Sequence, residues 1–409
     1  MMEPKPTPSP PPGSEALFEP PLKHQAWKEV ARLANALQVS DETKTTLDKL
    51  CKIVYLLYPE AELPAGYDTY HSLQKHIEPV MVSTILAWQG ARYLSHNGIA
   101  KLNIHNGRLV GDEFEDQPAG VLDEKDLEIM FATMMIHDLG QRHHVENGKL
   151  VRLNKITYKD HEAEAMKLAD FLLTKERGFN FDEVDLMRIK YGIALTQISD
   201  PEYKLSKQTT GSFYDELQEA LAGELWKQDK MTLLMKTELC NAMLVGIDVG
   251  TGLRRADNVD PTQTTDRNTI IRGLAAEYIE EKMEFEGKEL EIDLDWFLTG
   301  FLDDYERDAR NVGRIINRAL DSNTDLDPDK KYRFNEQEII ANRDIRSYMR
   351  WKLHKFYEDA TFRQQYHIIR TESQDGKTTY SCKANQMLPL IEYLQKDEES
   401  VALQPDSRK

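Results

Sequence analysis

Five residues of this chain carry side chains that a divalent cation accepts as ligands, on segments that can bring them together: His76, His137, Asp138, His161 and Asp248. None is informative alone. A His-Asp dipeptide arises by chance in a chain this rich in acid, and a lone inward histidine is most often a core residue bonded to a carbonyl. Their value comes from their context. Asp138 follows Leu127, Met130 and Met134 at eleven, eight and four residues, the spacing of one apolar helical face. A carboxylate sent inward needs a partner, because burying it bare is very costly. His137, about 100° round the same helix, can converge on the same cation.

Asp248 repeats the conflict at the end of MTLLMKTELCNAMLVGIDVG, with Leu234, Asn241, Leu244 and Val245 on its face. It is a ligand or a cap for the next turn. His76 lies in YHSLQKHIEPVMVSTILAW, with Val80 and Ala87 four and eleven residues on. It is a ligand or a core histidine. His161 opens HEAEAMKLADFLL, with Ala165, Leu168 and Leu172 on its face. It is a ligand or a first-turn residue facing solvent. Imidazoles and carboxylates without thiolates suit Mn, Fe, Mg or non-thiolate Zn. With Asp138 bridging two such ions, the set would make the two-metal clamp used on phosphate esters.

The elements that must position these groups are mostly helices, and the class expected is mainly α. Apolar periodicity predicts helix across Gln25–Tyr58 and Tyr70–Leu94, then one capped by Asp123 that ends near His137-Asp138-Leu139-Gly140. Further helices are expected at 160–174, 181–198, 212–224, 229–248, 268–283, 294–320 and 335–359. Asn106-Gly107 and Asn147-Gly148 mark two-residue hairpin turns. A third hairpin joins YHIIRT to KTTYSCK through Ser373–Gly376. The acidic run EYIEEKMEFEGKELEIDLD reads as solvated helix face. The aromatic group Tyr348, Trp351, Phe356 and Tyr357 reads as core.

Net charge is −18 over 409 residues, and no basic stripe is present to neutralise a duplex, so nucleic acid is excluded as a main partner. A small phosphorylated substrate is not excluded, since bound cations supply the missing charge. Cys51, Cys240 and Cys382 are far apart and lack paired spacing, which disfavours disulfides and zinc-thiolate sites and points to a reducing, cytoplasmic setting. No apolar stretch reaches membrane-spanning length, and no membrane partner is expected. Residues 1–22 are Pro-rich and read as a disordered tail. The composition leaves a homo-oligomer open.

Taken in order, His76 with Val80, the run FATMMIHDLG, His161 in HEAEAMKLADFLL and the segment LVGID resemble the HD superfamily of metal-dependent phosphohydrolases, from roughly Tyr70 to Leu253. The resemblance implies an HD-type helical bundle with small β-hairpins over 23–258 and a helical C-terminal extension over 259–409 ending in a hairpin. It implies one ion on His76, His137, Asp138 and Asp248, a second adding His161, and hydrolysis of a nucleotide or cyclic-nucleotide phosphoester by activated water. YHSLQKHIEPV is similar to the cyclic-nucleotide phosphodiesterase branch, which implies His71 as the general acid. Here four residues separate His71 from His76 where that branch has three. Pro79 stands where the family has a helix-compatible residue, so it kinks this helix or makes it start late. The Gly-Tyr-Pro motif of the cyclic-dinucleotide branch is absent, and Thr196 stands where many two-metal members have a further histidine. His143 and His144 either reach the mouth of the site or lie in an exposed loop. Two other readings compete: an HD-fold regulatory or ligand-sensing module without catalysis, and an unrelated helical protein with coincidental His and Asp.

Overall fold

A computed structural model describes residues 25–58, 73–96, 104–105, 108–109, 122–139, 143–146, 149–152, 161–196, 291–294, 302–329, 331–333, 351–354, 357–372 and 378–383, with single positions within 219–247 and at 376, 389, 390 and 393. The described chain is mainly α.

The first long helical run is two helices, α1 (Gln25–Ala36) and α2 (Asp41–Leu57). The chain breaks between them because Gln38 takes a left-handed φ of 55° and Ser40 caps α2, its side chain accepting from the Thr43 N–H. Asp41 and Glu42 then sit in the first turn, where the helix dipole favours negative charge. α1 buries Ala26, Val30, Leu33 and Ala34, the one-sided stripe that its periodicity predicts.

The next segment does start late. Leu73–Ile77 forms a π turn, and α3 (Glu78–His96) begins after it. Pro79 therefore falls in the first turn of α3, where its missing N–H does no harm. α4 (Glu124–Ile136) opens on a capping box: the Asp123 side chain accepts from the Asp126 N–H, and the Asp126 side chain accepts from the Asp123 N–H. From Asp126 onward every residue of α4 is buried, so this helix is the centre of the fold.

α3 and α4 run antiparallel, and two contacts fix their register. Trp88 is wholly buried and donates its Nε1–H to the Asp123 carbonyl at 2.9 Å. At the other end His76 meets the residues that follow α4. His76 and Trp88 are twelve residues apart and Asp123 and Asp138 fifteen, about 18 and 23 Å at helical rise, which are similar spans.

Around this pair, α1 packs on α3 and α2 on α4, while α5 (His161–Leu172) and α6 (Glu183–Thr196) pack against each other and against α4. α7 (Leu302–Ser322) lies along α3 so closely that a Cβ on Gly90 would sit 2.0 Å from the Ile315 carbonyl oxygen. Val312, Ile315, Ile316, Ala319, Leu320 and Leu326 belong to the same buried core as α3 and α4. Arg32 on α1 ties down the turn after α7, donating to the Asp325 and Leu326 carbonyls at 2.7 Å each.

All three hairpins are present. β1 (Ile104–His105) pairs with β2 (Arg108–Leu109), and β3 (His143–Glu146) with β4 (Lys149–Arg152), each around its Asn-Gly pair. β6 (Ile368–Glu372) pairs with β7 (Thr378–Lys383). One strand departs from the sequence reading. β5 (Glu291–Asp293), within the acidic run read as helix face, pairs with β7 and completes a three-stranded sheet in the order β5-β7-β6. Pairing with a strand far along the chain outweighs the low strand propensity of its acids. α8 (Ala360–Gln365), capped by Asp359, precedes this sheet. In the aromatic group Tyr357 is buried and stacks on Tyr380, but Trp351 is 56% exposed and is not core. Tyr348 and Phe356 lie outside the described residues. No helix among the described residues is long and apolar enough to cross a membrane.

Candidate metal centre

His76, His137 and Asp138 come together in the core. Each offers one ligand atom, and these atoms lie within 4.8 Å of one another. His76 Nε2 is 2.9 Å from Asp138 Oδ2, and His137 Nε2 is 3.0 Å from the same oxygen. The two rings stand 5.6 Å apart at 59°, so they fan toward the carboxylate rather than stack. All three side chains are buried, with residue exposures of 0%, 1% and 2%.

Each is placed by a helix end. His76 sits in the π turn just ahead of α3. His137 is the C-cap of α4, and Asp138 follows it. Because α3 and α4 are antiparallel, the start of one and the finish of the other meet at one point. A helix end also leaves side chains free to turn inward together, where mid-helix neighbours would diverge by about 100°.

The tautomer of His137 follows from its partner. Its Nδ1 lies 2.8 Å from the Met134 carbonyl. A carbonyl only accepts, so Nδ1 carries the hydrogen, and in the neutral ring Nε2 keeps its lone pair. That lone pair faces Asp138 Oδ2, which also only accepts when ionised. Two acceptors at 3.0 Å repel unless a proton or a metal ion lies between them. The backbone anchor on the distal nitrogen is the usual support of a histidine ligand to a metal.

The donor set fits a divalent ion. Two ligands on neighbouring corners of an octahedron with bonds of about 2.1 Å stand about 3.0 Å apart. Both N···O separations accommodate that edge, and each is also the length of an N–H···O hydrogen bond. A tetrahedral site with the same bonds would hold them about 3.4 Å apart. Thiols play no part: Cys51, Cys240 and Cys382 are buried and unpaired with one another. Burial, helped by the Asp126 carboxylate, pushes the Cys240 thiol up to about 12, and burial alone does the same for Cys382.

His161 is the first residue of α5, as the sequence reading has it. Asp248 and the proposed acid His71 lie outside the described residues. The helix expected to carry Asp248 is helical at the described positions from Leu233 to Ile247, and Asn241, Leu244 and Ile247 are buried. Thr196 is buried and donates to the Ile193 carbonyl of its own helix. His143 and His144 belong to strand β3 rather than a loop, opposite Arg152 and Val151.

Glu162 and Arg188 are among the buried polar groups that the sequence alone did not mark out. Glu162, beside His161, is only 2% exposed. Arg188 on α6 is buried against the cap of α4, with Nη2 2.7 Å from Asp126 Oδ1 and Nε donating to Thr237 Oγ1 at 3.0 Å. Lys236 reaches Asp123 and Asp126 in the same network. Two cations facing two carboxylates balance in charge, so this network joins helices and is not a ligand site. Comparison of the chain with family models, curated proteins and solved structures returned no match.

Proposed function

We propose that this chain is a metal-dependent phosphohydrolase of the HD type, cleaving a phosphoester of a nucleotide or cyclic nucleotide with activated water. The observation that carries the proposal is the convergence of His76, His137 and Asp138, three of the residues that the HD resemblance names as ligands.

In this reading His76 and His137 present Nε2, and Asp138 presents Oδ2, to one divalent ion. By the resemblance, Asp248 completes that set and His161 adds a donor for a second ion. When bound, such ions supply positive charge to the phosphoryl oxygens and lower the pKa of a coordinated water. The chain needs that contribution, since its own net charge of −18 repels phosphate. Asp138 and its two imidazoles are withdrawn from bulk water, which strengthens their hold on charge. The Met134 carbonyl keeps the His137 ring from rotating out of place. By the resemblance to the cyclic-nucleotide branch, His71 donates the proton to the departing oxygen.

The test is hydrolysis of a panel of nucleotides, cyclic nucleotides and phosphodiesters with added Mn, by wild type and Asp138→Ala. Wild type should turn over at least one member, and the variant should lose turnover by a factor of about 100 or more while still folding. Full activity of Asp138→Ala on every substrate that wild type cleaves would overturn the mechanism. Tight Mn binding by a wild type that cleaves nothing would favour the ligand-sensing module instead.

A further inference from the structure

We infer that the π turn before α3 is a positioning device for His76, held by Pro79 from below and by a Tyr55–Glu78 hydrogen bond from the side. The inference rests on the reading of His76 as a metal ligand.

His76 is the fourth residue of the five-residue π turn Leu73–Ile77, and α3 starts two residues after it. A regular α-helix carried back through His76 would require Pro79 to donate to the Lys75 carbonyl. Pro79 has no N–H, and its ring would press on that same oxygen. Widening the turn avoids both faults, and such single-turn widenings recur at functional sites. The widening also changes direction. Relative to a regular helix it rotates the upstream side chains by part of one residue's step of about 100°. His76 as placed is wholly buried with Nε2 2.9 Å from Asp138.

The side lock is independent of the first. Tyr55, near the end of α2, donates its hydroxyl to Glu78 Oε1 at 2.6 Å. Glu78 is the first residue of α3, at the junction with the π turn. Tyr55 is itself fixed by stacking on Trp27 of α1, with ring centroids 5.7 Å apart. The junction is thus tied to two helices that carry no ligand. Neither Tyr55 nor Pro79 belongs to the His76, His137 and Asp138 cluster, so both are positioning residues.

The experiment measures Mn affinity and thermal midpoint for full-length wild type, Pro79→Ala, Tyr55→Phe and His76→Ala. Wild type should bind Mn, and His76→Ala should not. Pro79→Ala frees the chain to form regular helix, so its midpoint should hold or rise while Mn affinity falls on the order of 10–100-fold, the loss typical of outer-shell partners. Tyr55→Phe keeps the ring and removes only the hydroxyl. It should weaken Mn binding in the same direction, and it serves where Pro79→Ala fails to fold. If wild type binds Mn and both variants bind it within about twofold, far below that outer-shell range, the positioning inference is overturned and the metal centre stands. If wild type binds no divalent ion, the metal reading itself fails, and the inference with it.

Discussion

Asp138 Oδ2 is the atom on which the centre turns, because two imidazole nitrogens approach it at 2.9 and 3.0 Å in a place closed to water. With His137 Nδ1 committed to a carbonyl, a neutral His137 and an ionised Asp138 turn two acceptors toward each other, an arrangement that a shared cation would satisfy. An ion that binds only the folded chain stabilises it by about 2.7 kcal/mol at a hundredfold excess over its dissociation constant. Mn should therefore raise the thermal midpoint of wild type, a chelator should reverse the rise, and Asp138→Asn should show neither effect. Equal shifts in wild type and variant, measured by calorimetry, would place the ion elsewhere. The pairing of His137 with Asp138 was legible because an acid and an imidazole ended an apolar helix. The orientation of His137 was not, since it depends on a backbone carbonyl that no residue type encodes. α4 is buried on every side from Asp126 onward, so it has no outward face for Asp138 to avoid.

At the scale of elements, the parts that were legible are those fixed by local chemistry. Asn-Gly pairs set the two short hairpins, Asp123 capped α4, and apolar spacing marked α1, α5 and α6. The parts that were not legible depend on distant partners. β5 is three residues long and owes its existence to β7, almost ninety positions later. The π turn had one local signal, Pro79, which marks where regular helix must stop and not what replaces it. The α4 cap permits a test of sign. Burial opposes ionisation of Asp123, but Lys236 and the Asp126 N–H outweigh it and hold its carboxyl below the usual range. A folded-state pKa below the unfolded value contributes stability that is complete above the unfolded pKa, near 3.8, and fades as pH falls through the lower folded one. Asp123→Ala should cost about 0.5–2 kcal/mol at neutral pH by loss of the cap. Its deficit should shrink as pH drops below the ordinary carboxylate range, as followed by urea melts. A deficit that grows in acid would contradict the assigned direction.

Over the whole molecule, the centre depends on chain that lies well beyond its own motifs. His76 is aimed by the start of α3, and α3 is sandwiched between α4 and α7. The approach of α3 to α7 at Gly90 leaves no room for a β-carbon, so the two helices are fitted to each other and not merely adjacent. Removing α7 would open to water the faces of α3 that now meet Val312, Ile315, Ile316, Ala319 and Leu320. Fully burying one such aliphatic side chain is worth about 1.5–3 kcal/mol, so losing several is comparable with the roughly 5–15 kcal/mol by which a typical domain is stable. A fragment of residues 23–258 contains every residue assigned to the ion, and ends at the polar run that the sequence offers as a boundary. It should nonetheless fail to fold cooperatively and bind no Mn, whereas a fragment running through the turn at Thr324–Leu326, where Arg32 fastens α7 to α1, should regain both properties. A shorter fragment that melts in one transition and keeps its Mn affinity would show that α7 is an accessory, and that α1 to α6 suffice to build the site.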